Sequence, residues 1–429
     1  MLKMPHVCHI GCCSSLFHII HTLIMYTKPS VFTLFILLFL STPQLQAQFN
    51  AEDPNLYQDL KLEIIGDYRY YFKEGAYEGQ QQHYPSIALQ QEYYVEWEEG
   101  KQSVRFTTFF RLDKDRERTH FDVRELYWQW VQRDWELSVG MKKIFWGVTE
   151  SAHLVDVINQ TDQVESFDGE AKLGQPMVHL SYLTNIGILD FFVLPYFRER
   201  QFPGEKGRLR PPFLLTDEDF RYESTAKRWH PDLALRWSNS FGIFDMGLSY
   251  FYGTGREPVF LADAENAGFD LVYPINHQLG LDLQATTGPV LWKLESMWRE
   301  NSLQDAIFAL AGGLEYTFGN INGKGLDIGL VAEYLYDSRG ELALNGQDND
   351  IFAGMRIALN DAQSTSLLLG GIFDLNKSSR LLSLEASRRL GNSWKVELEA
   401  RILDNIAPTE FLALFRDDSF AQFRLIKYF

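Results

Sequence analysis

From residue 60 to the C-terminus, apolar and polar side chains alternate in about 18 short segments, and the connections between those segments take turns being short and long. Alternation is clearest in 394–403, where Trp394, Val396, Leu398, Ala400 and Ile402 share one face and Lys395, Glu397, Glu399 and Arg401 the other. Residues 86–97 repeat it, with Ile87, Leu89, Tyr93, Val95 and Trp97 opposed to Ser86, Gln90, Glu92 and Glu96. A period of two marks a strand with two unlike faces. Every second connection is turn-like, as in Glu99-Gly100-Lys101, Arg133-Asp134, Asn185-Ile186, Thr287-Gly288 and Gly391-Asn392. The others include every long one: 72–85, 147–175, 199–230, 254–270, 338–349 and 405–417. A soluble sandwich also alternates, but nothing in its construction sorts its loops by length. A membrane-spanning antiparallel barrel does sort them, with short turns at one rim and longer loops at the other. The expectation is an all-β, transmembrane antiparallel β-barrel of about 18 strands over 60–429, with short periplasmic turns and long external loops. About 16 strands is the alternative, because the segment 271–286 contains Pro274.

Composition agrees with a barrel and not with a helical membrane protein. Aromatics make up 14% of the 429 residues, yet 23% are charged and mean hydropathy is only −0.21. A barrel accommodates both facts, because only every second strand residue meets lipid. The one long apolar run, Val31 to Leu40, follows Lys28 and precedes Leu45-Gln46-Ala47. This is the layout of a signal peptide cut after Ala47; a membrane anchor wants about 20 apolar residues. Residues 1–47 are therefore read as leader, with Met25 as an alternative start, and 48–59 as a periplasmic segment. Cys8, Cys12 and Cys13 all lie in that leader, so the mature chain has no thiol for a disulfide or a metal. The leader carries two Lys and no acid, so its removal makes the chain more negative than the formal −17. Such acidity argues against a nucleic-acid partner, which requires basic surface.

In lipid the apolar parity must face outward. Tyr93, Trp97, Trp128, Trp130, Trp292, Trp298, Tyr334, Tyr336 and Trp394 then face lipid, several near strand ends where aromatic girdles form. The opposite parity faces the lumen. Its bases include Arg69, Arg105, Arg111, Lys142, Arg236, Lys293, Arg299, Arg356 and Arg401. Its acids include Asp67, Glu92, Glu96, Glu125, Asp282, Glu295, Glu333, Glu397 and Glu399. So many charges require water or partners, so a wet lumen is expected, and the near balance of signs assigns no ion selectivity. The chain ends in Phe429, with Phe423 and Leu425 on the same face. That pattern resembles the signal read by the outer-membrane barrel-assembly machinery, although Lys427 stands where an apolar residue is preferred.

Residues 139–178 contain Val139, Gly140, Trp146, Gly147, Val157, Ile158, Asn159 and Asp162 at a recognisable spacing. The segment resembles one recurrent in Gram-negative porin-like barrels, including the alginate-export-like group, with Gln160 where those families place proline. The resemblance implies the barrel class and not a substrate. It also implies that the long connection 147–175 folds inward, as the third loop of general porins does. Glu150, Asp156, Asp162, Glu165, Asp168 and Glu170 make that loop acidic. Facing a basic wall around Arg105, Arg111 and Lys142, it would narrow the pore; the alternative is a loop that only covers the mouth.

The expected role is a porin-like channel for small polar or charged solutes, embedded in outer-membrane lipid and lipopolysaccharide, with no cofactor and no catalytic residue. A homo-oligomer is compatible with this class. The alternatives are an outer-membrane receptor or adhesin and an outer-membrane hydrolase. The 199–230 loop, mixing Pro, Arg and aromatics, reads equally as a docking surface or a lumen plug. Six histidines, His83, His120, His153, His179, His230 and His277, are placed in or beside external loops. His153 and Asp156 are only two candidate ligands, so no metal site is expected.

Overall fold

The computed structural model describes residues 56–215, 219–263, 268–321, 323–344 and 346–429. The expected leader lies outside these, as does most of 48–59. The first seven strands are β1 (Tyr57–Tyr71), β2 (His83–Trp97), β3 (Gln102–Leu112), β4 (His120–Val131), β5 (Trp135–Lys142), β6 (Gln175–Thr184) and β7 (Gly187–Leu194). The next seven are β8 (Phe220–Tyr222), β9 (Asp232–Phe241), β10 (Phe244–Thr254), β11 (Val259–Asp263), β12 (Gly268–Tyr273), β13 (Ile275–Thr287) and β14 (Val290–Glu300). The last seven are β15 (Ile307–Phe318), β16 (Asp327–Asp337), β17 (Asn349–Ala358), β18 (Ser366–Asp374), β19 (Arg380–Leu390), β20 (Trp394–Asp404) and β21 (Phe420–Tyr428).

Eighteen of these form one antiparallel sheet. Each pairs with its chain neighbour, and β1 pairs with β21 from Glu63↔Tyr428 to Tyr71↔Phe420, so the sheet closes on itself. Closure pairs every edge, which lets a sheet sit in lipid without orphaned backbone groups. The remaining three, β8, β11 and β12, make a small separate sheet in the connections after β7 and β10. Sequence reasoning did not anticipate this sheet. Turns such as Asn185–Ile186, Gly242 and Gly391 gather at one end, and the long connections gather at the other.

Two boundaries differ from the sequence reading. The segment 135–146 leaves the wall at Lys142, because the chain turns inward there. The segment 271–286 is broken at Pro274, which has no N–H for the ladder; 271–273 belong to β12, and β13 starts at Ile275. The count of 18 stands because the second half alone spans the wall.

Outward side chains are apolar and exposed, for example Leu248, Leu330, Leu398 and Phe423, whereas the inward Val331, Glu333 and Leu335 are buried. Trp292 and Trp394 lie outward at the short-turn end, and Trp298, Tyr334 and Tyr336 outward toward the long-loop end. In β4 the register slips at Thr107/Thr108, where Glu125 and Val123 are paired and Arg124 is skipped. The bulge turns both Arg124 and Glu125 toward the interior.

Candidate functional site

The connection between β5 and β6, residues 143–174, has its own polar and apolar anchors. At its neck Gly140 has φ +136, and a Cβ there would lie 2.2 Å from the Leu126 carbonyl oxygen, so only glycine fits. Asn159 is almost wholly buried. Its Oδ1 accepts from the Ile144 N–H (2.8 Å), and its Nδ2 donates to the carbonyls of Lys142 (3.0 Å) and Leu173 (2.8 Å). One amide thus ties the outgoing and returning arms together. Trp146, Val155 and Ile158 pack with Phe192, Leu194 and Phe251 on the inner wall, and Arg236 lies over the Trp146 ring at 5.1 Å. Gln160 is buried and accepts from Arg200 Nε at 3.3 Å.

Further along, wall carboxylates hold the loop by its backbone. Glu295 Oε1 accepts from the N–H groups of Val148 (2.7 Å) and Thr149 (3.0 Å) and from the Thr149 hydroxyl (2.8 Å). Its Oε2 accepts from the Val155 N–H at 3.3 Å. Gly147 passes so close that a Cβ would sit 3.0 Å from Glu295 Oε1, which accounts for glycine at that motif position. Glu333 accepts from the N–H groups of Glu150 (2.8 Å) and Ser151 (2.9 Å) and from the Ser151 hydroxyl (2.6 Å). Ala152 and Leu154 pack on Phe352, Ile372, Met297 and Ile307. The inner wall is therefore partly apolar here.

The loop acids then meet wall bases around the barrel. Glu150 Oε2 lies 2.7 Å from Arg356 Nη2 on β17 and 3.8 Å from Lys293 Nζ on β14. Asp162 Oδ2 lies 3.4 Å from Arg124 on β4, and Glu165 is bidentate to Arg111 on β3 at 2.8 Å for each bond. Asp168 pairs with Arg401 on β20. Asp156 pairs within the loop, with Lys172 at 3.1 Å. The loop also closes on itself through His153 Nε2 and Glu170 Oε1 at 3.0 Å.

Burial favours the neutral form of His153, but bonds to Glu170 and Glu295 overcome it and raise its pKa to about 10. Burial alone would raise Glu165, yet the guanidiniums of Arg111 and Arg118 bring it down to about 2. The folded value of His153 lies above its free value of 6.5, so its contribution is complete below that pH and is lost as pH rises through about 10. Glu165 lies below its free value of 4.5, so its contribution is complete above that pH and is lost as pH falls toward about 2. The docked loop is expected to resist protease best between about pH 4.5 and 6.5 and to become progressively more cleavable as pH rises toward 10 or falls toward 2. Limited proteolysis across pH, read by mass spectrometry, checks this.

The long connections at the same end cross to distant strands. Arg208, in the connection after β7, is buried; its Nε donates to Asp418 Oδ1 (2.5 Å) and its Nη2 to the Asp417 carbonyl (2.7 Å). Its Nη1 reaches the carbonyls of Lys73 and Gln81, both at 3.1 Å. The 206–209 stretch of this segment is anchored against Tyr71 of β1, Tyr84 of β2, the connection between them and the connection before β21. Glu257, after β10, lies 2.8 Å from Arg299 and 2.9 Å from Arg339. Against burial, Arg339, Arg299 and Arg200 hold its carboxyl far below the usual range.

The basic wall differs from the expected one. Arg111 does meet the loop, but Arg105 pairs with Glu92 (3.2 Å) and Lys142 with Glu136 (3.5 Å). Arg124, Arg356, Arg401 and Lys293 take their places, Arg124 because of the bulge. Arg111, Lys293, Arg299, Arg401, Asp282, Glu295 and Glu333 all point inward but are buried, not open to the lumen. Arg236 pairs with Asp282 at 2.7 Å. Glu96 accepts from the Tyr94 hydroxyl (2.7 Å), and Glu397 and Glu399 both lie 3.5 Å from Arg424. His179 is not beside a loop; it lies within β6, its Nε2 2.9 Å from Asp190 Oδ1. Asp348, Asp350 and Asp374 bring one carboxylate oxygen each within 4.8 Å of one another, a cluster the sequence reading missed because β17 and β18 bring it together.

Burial separates the inner wall into two sectors. Across β3, β6, β10, β13, β14 and β16 the inward residues beside the loops are largely buried, whereas on β17–β19 Gly354, Arg356, Leu368, Gly370, Ile372, Ser383, Glu385 and Ser387 are all partly or fully exposed. At the seam, Phe423 and Phe429 face outward, exposed, with Leu425 on the same face. Lys427, the departure from the terminal pattern, donates to Ser393 Oγ (2.6 Å) and lies 5.1 and 5.3 Å from the Trp394 and Phe429 ring centres. Its stem thus runs between two rim aromatics.

Solved structures share this architecture at very low identity. A BenF-like porin from Pseudomonas fluorescens Pf-5 superposes with a TM-score of 0.51 at 10% identity, covering 88% of this chain and 98% of its own. OccK3 (OpdO) from Pseudomonas aeruginosa gives 0.51 at 9%, covering 89% and 97%. The fold is that of an outer-membrane β-barrel. Wzi, an outer membrane protein involved in group 1 capsule assembly in Escherichia coli and a carbohydrate-binding β-barrel, gives 0.50 at 11%, covering 89% and 86%. No protein-family model matches the chain, and no curated protein matches it by sequence. The likeness of 139–178 to the alginate-export-like group therefore reaches the barrel class and no further.

Proposed function

We propose that this protein is a non-catalytic outer-membrane channel through which small polar or charged solutes diffuse along the β17–β19 side of the lumen, past the docked 143–174 loop. The observation that carries this reading is the asymmetry of burial: the loop is fastened to the wall from Arg124 to Arg356, while Arg356, Leu368, Ser383 and Glu385, inward on β17–β19, stay accessible. Fixed charges flank the accessible strip, Arg356 with Glu150 on one side and Arg401 with Asp168 on the other. A constriction bounded by charge pairs on a rigid wall filters by size and by charge distribution. The charged lumen needs no cofactor to do this. Reconstitution into planar bilayers, with reversal potentials in unequal salt, tests the reading. Stepwise conductance of uniform size is expected. A folded barrel that never conducts would favour the receptor or adhesin class instead.

A further inference from the structure

We infer that the passage selects zwitterionic solutes with an apolar middle, held by the cross-strand row Arg356–Leu368–Glu385; this rests on the channel reading above. Arg356 on β17 is in register with Leu368 on β18, and Leu368 with Glu385 on β19. Neighbouring strands lie about 4.8 Å apart, which places the cationic and anionic residues about 10 Å apart at the backbone with one apolar side chain between them. Both charges remain accessible in the accessible sector, the Arg356 side chain at 42% and the Glu385 side chain at 49%. Each is held from the far side, Arg356 by Glu150 Oε2 at 2.7 Å and Glu385 by Arg401 Nη2 at 2.6 Å. Those partners keep the two groups from collapsing onto each other across Leu368.

Adjacent rows on the same three strands add no charge. Toward the long loops lies Gly354–Gly370–Ser383, and beyond it Phe352–Ile372–Leu381; toward the short turns lies Ala358–Ser366–Ser387. Gly370 has to be side-chain-free, because a Cβ there would fall 2.6 Å from the Phe352 ring. A solute sliding along this strip meets small or apolar surface, then one cation and one anion side by side. A molecule bearing both charges satisfies both. A molecule bearing one charge is attracted by one group and repelled by the other.

Proteoliposomes holding the full barrel are loaded and assayed for flux of L-leucine, 4-methylpentanoate and 3-methylbutylamine, which share a branched carbon skeleton and carry both charges, the anion alone and the cation alone. Leucine is expected to cross about fivefold faster than either analogue, the scale of two partly exposed ionic contacts. R356Q is expected to move the preference to the amine and E385Q to the carboxylate, each with unchanged conductance-step uniformity. Equal rates for the three solutes in wild type, or an unaltered ranking in both variants, overturns the inference while leaving the channel reading intact. A folded barrel impermeable to all three overturns the channel reading and the inference with it.

Discussion

Removal of residues 150–168 is expected to raise single-channel conductance at least about threefold, because an 18-strand wall freed of its internal loop encloses a wide aqueous passage. The deleted stretch contains the contacts that bring the loop across the lumen: Glu150 to Arg356, the Ser151 bonds to Glu333, Asp162 to Arg124, Glu165 to Arg111, and Asp168 to Arg401. Wall closure does not depend on it. The β5–β6 ladder runs from Trp135↔Tyr182 to Lys142↔Gln175, and the seam is made by β1 and β21. Heat-modifiable gel migration establishes that the variant still folds, and bilayer recording reads the pore. Unchanged conductance in a folded variant would show that the loop never limits flow.

Glu295→Ala is expected to undock the loop from the inside. The carboxylate is wholly buried and receives three N–H groups and one hydroxyl, all from residues 148–155. Hydrogen bonds to a buried charge are worth about 1.5–3 kcal/mol each, and truncation also strands the donors. The loss is expected to be about 3 kcal/mol or more for loop docking, with Glu295→Gln intermediate because it keeps an acceptor oxygen. Protease cleavage between 148 and 170 should appear in the Ala variant under conditions that leave wild type intact. By contrast, Glu92→Ala removes half-exposed pairs to Lys61 and Arg105 and is expected to cost less than about 1 kcal/mol.

Much of the wall was legible because a strand's two faces write themselves into the sequence at a period of two. All 18 wall strands fall on the alternating segments, and sorted connection lengths reported the antiparallel order. Local backbone events were legible only where chemistry marked them: Pro274 flagged a weak segment but did not say that 271–273 would join a second sheet. The β4 bulge left no mark at all, and so Arg124 was assigned no inward role. Loop docking was half legible. The acids of 150–168 were evident, but their wall partners lie from 38 to 233 residues away and are set by where each strand falls around a closed circle. Arg105 pairs with Glu92 and Lys142 with Glu136, so strand neighbours had already neutralised them. Glu295 and Glu333 look like any lumen acids in sequence; that they hold backbone N–H groups depends on the loop's path alone.

Passage along β17–β19 requires the inner wall to be accessible there, and paired serine-to-cysteine variants read this directly, since no cysteine occurs after Cys13. Ser383 on β19 is partly accessible in the proposed passage, whereas Ser138 on β5 is buried, its Oγ accepting from Lys142 Nζ at 3.1 Å. During bilayer recording, a charged methanethiosulfonate reagent is predicted to cut the current of Ser383→Cys by more than about half, by placing bulk and charge in the narrow strip, and to leave Ser138→Cys unaffected. Block through position 138 with none through 383 would put the passage on the opposite wall and contradict the account.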